Sequence, residues 1–245
     1  HCIERWEDQR SPFSWVSVAP NGERSVIIFP NVLNYLTPEK VDAAMVGCID
    51  GSLHFHTDVA TVPLRTTLQA VEVASAADCM IFTDLDTDPI YLLEEAGIGR
   101  QKELEAILQK TDVLKSCLTA ATQLTGEEDP RLSCRALHET YGSRYTVVTA
   151  GKEGSCLAYN GEEYEIQALG PSAVDPTGAG GAYFGGLSYA LLMGINGEEA
   201  GYFASACAGY ACSRMGALAL GTLAEINAVL AGEDPAVEDD NSQDG

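Results

Sequence analysis

Basic residues are scarce in this sequence. Fourteen lysines and arginines stand against 36 aspartates and glutamates in 245 residues, a formal net charge of −22. A field of that sign repels phosphodiester backbones and anionic lipid surfaces, so neither nucleic acid nor a membrane surface is an expected partner. Long apolar runs are missing as well, since none approaches the roughly 20 residues that a membrane-spanning helix needs. The eight cysteines include no CxxC pair and are scattered, several within apolar runs such as SACAGYACS. A chain this large needs no disulfide staples, and the cysteines read as small thiols in a reducing, intracellular compartment, either cytoplasm or an organellar stroma or matrix. An initial methionine is absent, and the first residues have the look of an approach to a strand. The sequence therefore reads as N-terminally incomplete, with no secretory signal in the part seen.

What is present suits one large globular domain. The chain is 46% hydrophobic and 20% charged, enough to build a core over residues 1–235. Residues 236–245, acidic and without apolar period, are expected to form a disordered tail. Near the start, FSWVSV and RSVIIF flank the Asn21-Gly22 pair, a hairpin signal that places a small β lid at about residues 11–30. The pattern then changes. Short apolar runs at 51–56, 78–84, 111–116 and 145–150 alternate with amphipathic stretches at 62–77, 100–110 and 131–142. Buried strands separated by helices predict an α/β fold, a three-layer α/β/α sandwich with a mostly parallel sheet. Two more short strands follow Thr149. Beyond them lie two long, small-residue-rich stretches whose side chains allow close helix packing.

Between those strands and helices runs AVDPTGAGGAYFGG, Ala173 to Gly186. It holds five of the 24 glycines within residues 178–186. So small a set of side chains builds no core, and the backbone itself is what such a loop offers. A glycine-rich turn opening a helix presents unpaired N–H groups and a positive dipole end to an anion. Thr177 can cap the helix or donate a hydroxyl, while Gly178, Ala179 and Gly180 let amides approach a phosphate. The same sequence would also serve close helix packing. Two better-known phosphate loops do not apply: no lysine follows as GxxxxGK[ST] requires, and Tyr183 stands where GxGxxG needs its last glycine.

DPTGAGGAYFGG resembles the C-terminal signature of the ribokinase-like (PfkB family) carbohydrate kinases, D-[ST]-[TV]-G-A-G-D-x-F with a following Gly-Gly pair. Asp175, Thr177, Gly178, Ala179 and Gly180 match, Tyr183 stands for the aromatic, and Gly185 and Gly186 for the pair. NGERSVIIFP, TDVLKSCLTAATQLTG and TVVTAGKEGSCLAY resemble further segments of the family in the same order and spacing. The resemblance implies a ribokinase-like fold, ATP with Mg²⁺ as phosphoryl donor, and a sugar or nucleoside as acceptor. It makes Gly178, Ala179 and Gly180 an anion hole. Asp175 and Thr177 would support that loop, with a monovalent cation as in some relatives. Thr149, Gly151 and Gly154 would shape the nucleotide side, and Ala208, Gly209 and Cys212 would line an adenine pocket. It also implies a homodimer contact through the lid.

The departures fall at the reaction centre. Where the family has the aspartate that serves as general base, this chain has Gly181, which has no titratable group. The NxxE motif, tied in the family to magnesium and phosphate, falls on Cys117 to Ala120 and has lost both its asparagine and its glutamate. Pro176 replaces the usual Ser or Thr. Two function classes stay open: a carbohydrate kinase with catalysis absent or severely impaired, and a non-catalytic pseudokinase acting as a binding or assembly subunit. His54, His56 and Asp58 form an HxHxD run like that of dinuclear zinc hydrolases. Only His1 and His138 remain to complete such a site, so no metal centre is expected. Asp84, Asp86 and Asp88 read as a solvated strand-end loop that could ligate a cation.

Overall fold

A computed structural model describes residues 6–18 and 24–235. The Asn21-Gly22 turn and the acidic tail at 236–245 lie outside the described residues. The chain divides into two compact units, residues 1–150 with 156–164, and residues 151–155 with 165–245.

In the first unit, strands β1 (Phe13–Val18) and β2 (Arg24–Phe29) pair antiparallel over the expected residues, Phe13 opposite Phe29 and Trp15 opposite Ile27. Helix α1 (Pro38–Met45) follows, its Thr37 cap accepting from the Lys40 amide and proline at its first position, a start that satisfies orphan amides and fixes φ. Strand β3 (His54–Asp58) begins three residues later than the apolar run predicts. Gly51 sits in a turn at φ +77°, and the extended chain starts only beyond it. Thereafter strand and helix alternate: α2 (Leu64–Ala76), β4 (Met80–Leu85), α3 (Gln101–Gln109), β5 (Val113–Cys117), α4 (Leu118–Thr125), α5 (Pro130–Tyr141) and β6 (Tyr145–Thr149).

With β7 (Ser155–Tyr159) and β8 (Glu162–Ile166), strands β3 to β8 form one six-stranded sheet in sequence order, and β3 to β6 are parallel neighbours. The first four residues of β5 and of β6 are buried without alternation, as strands covered on both faces must be. Leu64 and Val71 of α2, Leu104 and Ile107 of α3 and Leu137 of α5 close over Ile81, Leu114 and Val148 of the sheet. The loop before α5 does what GEEDP suggests: Asp129 accepts from the amides of Arg131 and Leu132, and Gly142 ends the helix at φ +68°.

The second unit contains α6 (Ala179–Leu192), α7 (Gly197–Cys212) and α8 (Leu223–Leu230). The small residues there serve contact. A Cβ on Gly186 would lie 2.7 Å from Cys207 Sγ and 3.1 Å from Ala204 Cα, so only glycine lets α6 approach α7 this closely. Tyr189 and Phe203 stack across the same pair at 5.5 Å. Among the described residues no helix is long and apolar enough to cross a membrane.

Candidate functional site

The glycine loop is built from the chain turn that precedes α6. The amides of Val174 and Asp175 both donate to the Cys212 carbonyl, at 2.7 and 3.0 Å, which fastens the loop to the end of α7. The two carboxylate oxygens of Asp175 then each accept an amide, Thr177 N at 2.9 Å and Gly216 N at 3.0 Å. Asp175 thus acts as a strut that fixes the loop. Gly178 takes φ +88° at the N-cap of α6, and a Cβ there would lie 2.6 Å from the Ala217 carbonyl oxygen. Both facts demand glycine. The N-cap of α6 is Gly178, which has no side chain to cap with, and no acid occupies the first turn. Gly180 and Gly181 stand in the first turn of a helix whose N-cap is glycine, and backbone amides at such a helix start suit a phosphate group.

Position 181 differs from its neighbours. It is exposed, and a Cβ built there meets nothing within 4 Å. Glycine at 178 is a steric requirement, whereas glycine at 181 is not.

The remaining glycines named from the sequence have local duties. Gly151 takes φ +59°, and Gly154 takes φ +90° with its missing Cβ facing the Ile166 carbonyl oxygen at 2.1 Å. Gly209 abuts the Leu169 carbonyl, where a Cβ would stand 1.8 Å from the oxygen. Close packing requires glycine at both positions. Ala208 and Cys212 are half-buried on the same helix as Gly209. The structure brings Asp175, Thr177, Gly178 and Cys212 into one loop system, and it puts Thr149 in the other unit, where its hydroxyl donates to the Ser116 carbonyl at 3.4 Å.

The carboxyl ends of the parallel strands hold the second half of the sequence-read chemistry. Thr149 is paired with Cys117 across β6 and β5. Cys117 caps α4, its sulfur accepting from the Ala120 amide at 3.5 Å, and burial pushes the thiol up. Ala120, which the sequence resemblance sets at the family's glutamate, is fully buried in the core.

Beside them lies a group that the sequence reading passed over. Lys115 is fully buried on β5, its Nζ 3.0 Å from Asp84 Oδ1 and 2.6 Å from Asp86 Oδ1. Asp58, Asp84 and Lys115 are cross-strand neighbours on β3, β4 and β5. Burial pushes the Asp84 carboxyl up to about 7 against the pull of the ammonium, and burial together with the Asp86 charge raises Asp58. A lysine in the middle of an apolar strand, with two aspartates ending the preceding one, was the available signal.

The histidines of the HxHxD run flank Phe82, their rings 4.6 and 4.4 Å from it, and burial pushes both below the ordinary imidazole value. Among the described residues no group of three or more histidines, cysteines and acids converges as a metal site. Mg²⁺ prefers oxygen ligands, and four residues at these strand ends do not suit it. Asp84 and Asp86 are committed to Lys115, and Cys117 and Ala120 bring no side-chain oxygen.

Comparison with known proteins agrees with this architecture. Residues 1–222 match the description pfkB family carbohydrate kinase. The chain is 34% identical over 118 residues to a cytidine kinase of Thermococcus kodakarensis, covering 47% of this chain and 41% of that one. It is 27% identical over 223 residues to probable fructokinase-7 of Arabidopsis thaliana, covering 85% and 64%. It thus spans less than two thirds of the length of these relatives. An Escherichia coli ribokinase II solved in complex with ATP and Mg²⁺ superimposes with a TM-score of 0.79 at 20% identity, over 92% of this chain and 72% of that one. That likeness gives the fold: ribokinase-like, a mostly parallel sheet with helices around it and a small antiparallel pair. The chain belongs to the pfkB family of carbohydrate kinases.

Proposed function

We propose that this protein is a PfkB-type carbohydrate kinase-like protein that binds nucleotide phosphate through the α6 loop and transfers phosphoryl groups poorly, if at all. The observation that carries the reading is the contrast within that loop. Gly178 at φ +88° and the glycine-rich start of α6 keep the form of an anion hole, while Gly181 puts no proton acceptor where the family has its base. Donors preorganised at a helix start stabilise charge that develops on a transferring phosphoryl group. The hydroxyl proton of a sugar or nucleoside acceptor would go to solvent, and loss of a general base costs about 10²- to 10⁴-fold. Bound ATP would carry its own Mg²⁺ on its phosphates, and no step here is assigned to that ion. Gly151, Gly154 and Thr149 remain our choice for the nucleotide side, with Ala208, Gly209 and Cys212 toward the base. No disulfide joins any two of the described cysteines, which supports an intracellular setting, cytoplasm or organellar stroma or matrix.

Calorimetric titration with ATP and ADP, with and without magnesium, tests the reading. Saturable binding in the micromolar range is expected, tighter in potassium than in lithium buffer if a monovalent cation supports Asp175 and Thr177. No binding up to millimolar nucleotide in a folded chain would reduce the loop to helix packing.

One observation favours the second reading, a pseudokinase used as a binding or assembly subunit. Phe13, Trp15, Ile27 and Phe29 share one face of the β1–β2 pair, and all four are exposed. Phe13 and Phe29 stack at 4.5 Å. A contiguous apolar face of this kind marks an interaction surface, and we assign it to a homodimer contact through the lid. Trp15→Glu is expected to shift the species seen by sedimentation from dimer to monomer; a wild-type chain that sediments as a monomer at high concentration rules the contact out.

A further inference from the structure

A polar cavity lies within the first unit, away from the carboxyl ends of its strands. Its volume is about 350 Å³, and His138, Ser143, Arg144, Tyr159 and Asn160 line it. Ser143 and Arg144 stand just before β6. Tyr159 closes β7, and its ring stacks on Tyr145, the first residue of β6, at 4.1 Å. The cavity is thus a strand's length from Thr149, Cys117 and the Lys115 cluster.

Three features make this lining unusual in a chain of net charge −22. It contains no carboxylate. Of the acids near it in sequence, Glu163 is held by Arg131 and Arg135, Glu162 accepts from the Tyr164 hydroxyl, and the exposed Glu139 is not part of the lining. Arg144 is exposed, its guanidinium carbon 5.7 Å from the Tyr145 ring centroid, a planar fork set against a flat aromatic face. His138 is oriented by Thr146, whose hydroxyl is 3.1 Å from Nδ1. Ser143 supplies the independent sign of a ligand. It is 2% exposed, and its hydroxyl has no hydrogen-bond partner among the described residues. Buried polar groups are nearly always satisfied, and an exception beside a cavity points to a group that enters it.

We infer that this cavity binds a small phosphate-bearing anion, free phosphate or a phosphomonoester, with Arg144, His138 and the Ser143 hydroxyl as its donors. A guanidinium fork recognises phosphate bidentately, and the volume leaves room for an organic substituent on it.

The test is titration of the whole chain with inorganic phosphate and, separately, glycerol phosphate, read by amide chemical shifts as well as heat, with acetate as control. Saturable shifts centred on residues 138–144 and 159–161 are expected, and the tighter of the two probes identifies the source. Arg144→Gln, a surface change that leaves the fold intact, is expected to weaken binding about tenfold, the equivalent of one charge-assisted hydrogen bond. Ser143→Ala is expected to raise the melting temperature without phosphate, because it removes an unpaired buried hydroxyl, and to weaken binding. The proposal is overturned by the absence of saturable binding up to tens of millimolar. It is equally overturned by shifts confined to the α6 loop, or by affinities that neither variant changes.

Discussion

Gly181→Asp is expected to raise acceptor-dependent ATP turnover by about 10²- to 10⁴-fold over the chain as it stands, the range that a positioned general base contributes. The local structure admits the change. Residue 181 is the third of α6, is exposed, and a Cβ there touches nothing within 4 Å. A carboxylate in the first turn, where this helix has none, is stabilised by the helix dipole by about 0.3–1 kcal/mol. The variant should therefore melt no lower than the parent, and a negative result cannot be put down to misfolding. The measurement is ADP release across a panel of sugars and nucleosides. A folded Gly181→Asp protein that binds ATP yet shows no acceptor-dependent turnover would mean that the loss at Cys117 and Ala120 is decisive, and the assembly-subunit reading would take precedence. Ala120 makes that outcome hard to reverse, since it is fully buried and a glutamate could not enter its place without disrupting the core.

The α6 loop and the strand ends of the first unit differ in how far the sequence discloses them, and the reason is physical. The loop around Gly178 could be read because its function rests on the backbone, and a demand on the backbone leaves glycines in the sequence. The hairpin strands at 13–18 and 24–29 and the alternation of strand and helix were legible for a related reason, the two periods of apolar residues. Helix α4 gave little sign of its start. Its cap is the sulfur of Cys117 in place of the usual hydroxyl or carboxylate, so the ordinary cue was missing. Lys115 was passed over because its burial depends on two partners some 30 positions earlier in the chain, a pairing only the parallel register of β4 and β5 creates. The cavity at Ser143 is less legible still. Its lining comes from the end of one helix, the entry to one strand and the turn after another, and no local pattern marks it. Gly209 shows a different limit: the Leu169 carbonyl packed against it requires glycine there, so a glycine in the sequence does not by itself separate an adenine contact from close packing.

The largest effect on stability is expected at Lys115. Its ammonium is fully buried between Asp84, 13% exposed, and Asp86, 41% exposed. Lys115→Met keeps the length of the side chain and removes the charge, leaving Asp84 in a dry site without a counterion. Breaking a buried pair from one side costs about 3–5 kcal/mol, and the partial exposure of Asp86 puts this case toward the lower end. The loss must depend on pH in one direction. In the parent, burial already lifts Asp84 from 3.8 to about 7, so its contribution to stability is full below about 4 and is lost as the pH rises through 7. Without the lysine the carboxyl has lost the charge that pulls it down, and it goes higher still. Each further unit is worth about 1.4 kcal/mol. Denaturant titrations should therefore show the Lys115→Met penalty small at pH 5 and largest at pH 8, and the Asp84→Asn/Lys115→Met double variant should recover most of it, because the two residues couple directly. A penalty that is the same at both pH values, or a double variant no better than the single, would mean that Lys115 contributes through its methylene packing alone. The aspartates at this strand end would then be available to a cation after all, which would remove the main argument against a protein-bound magnesium ion.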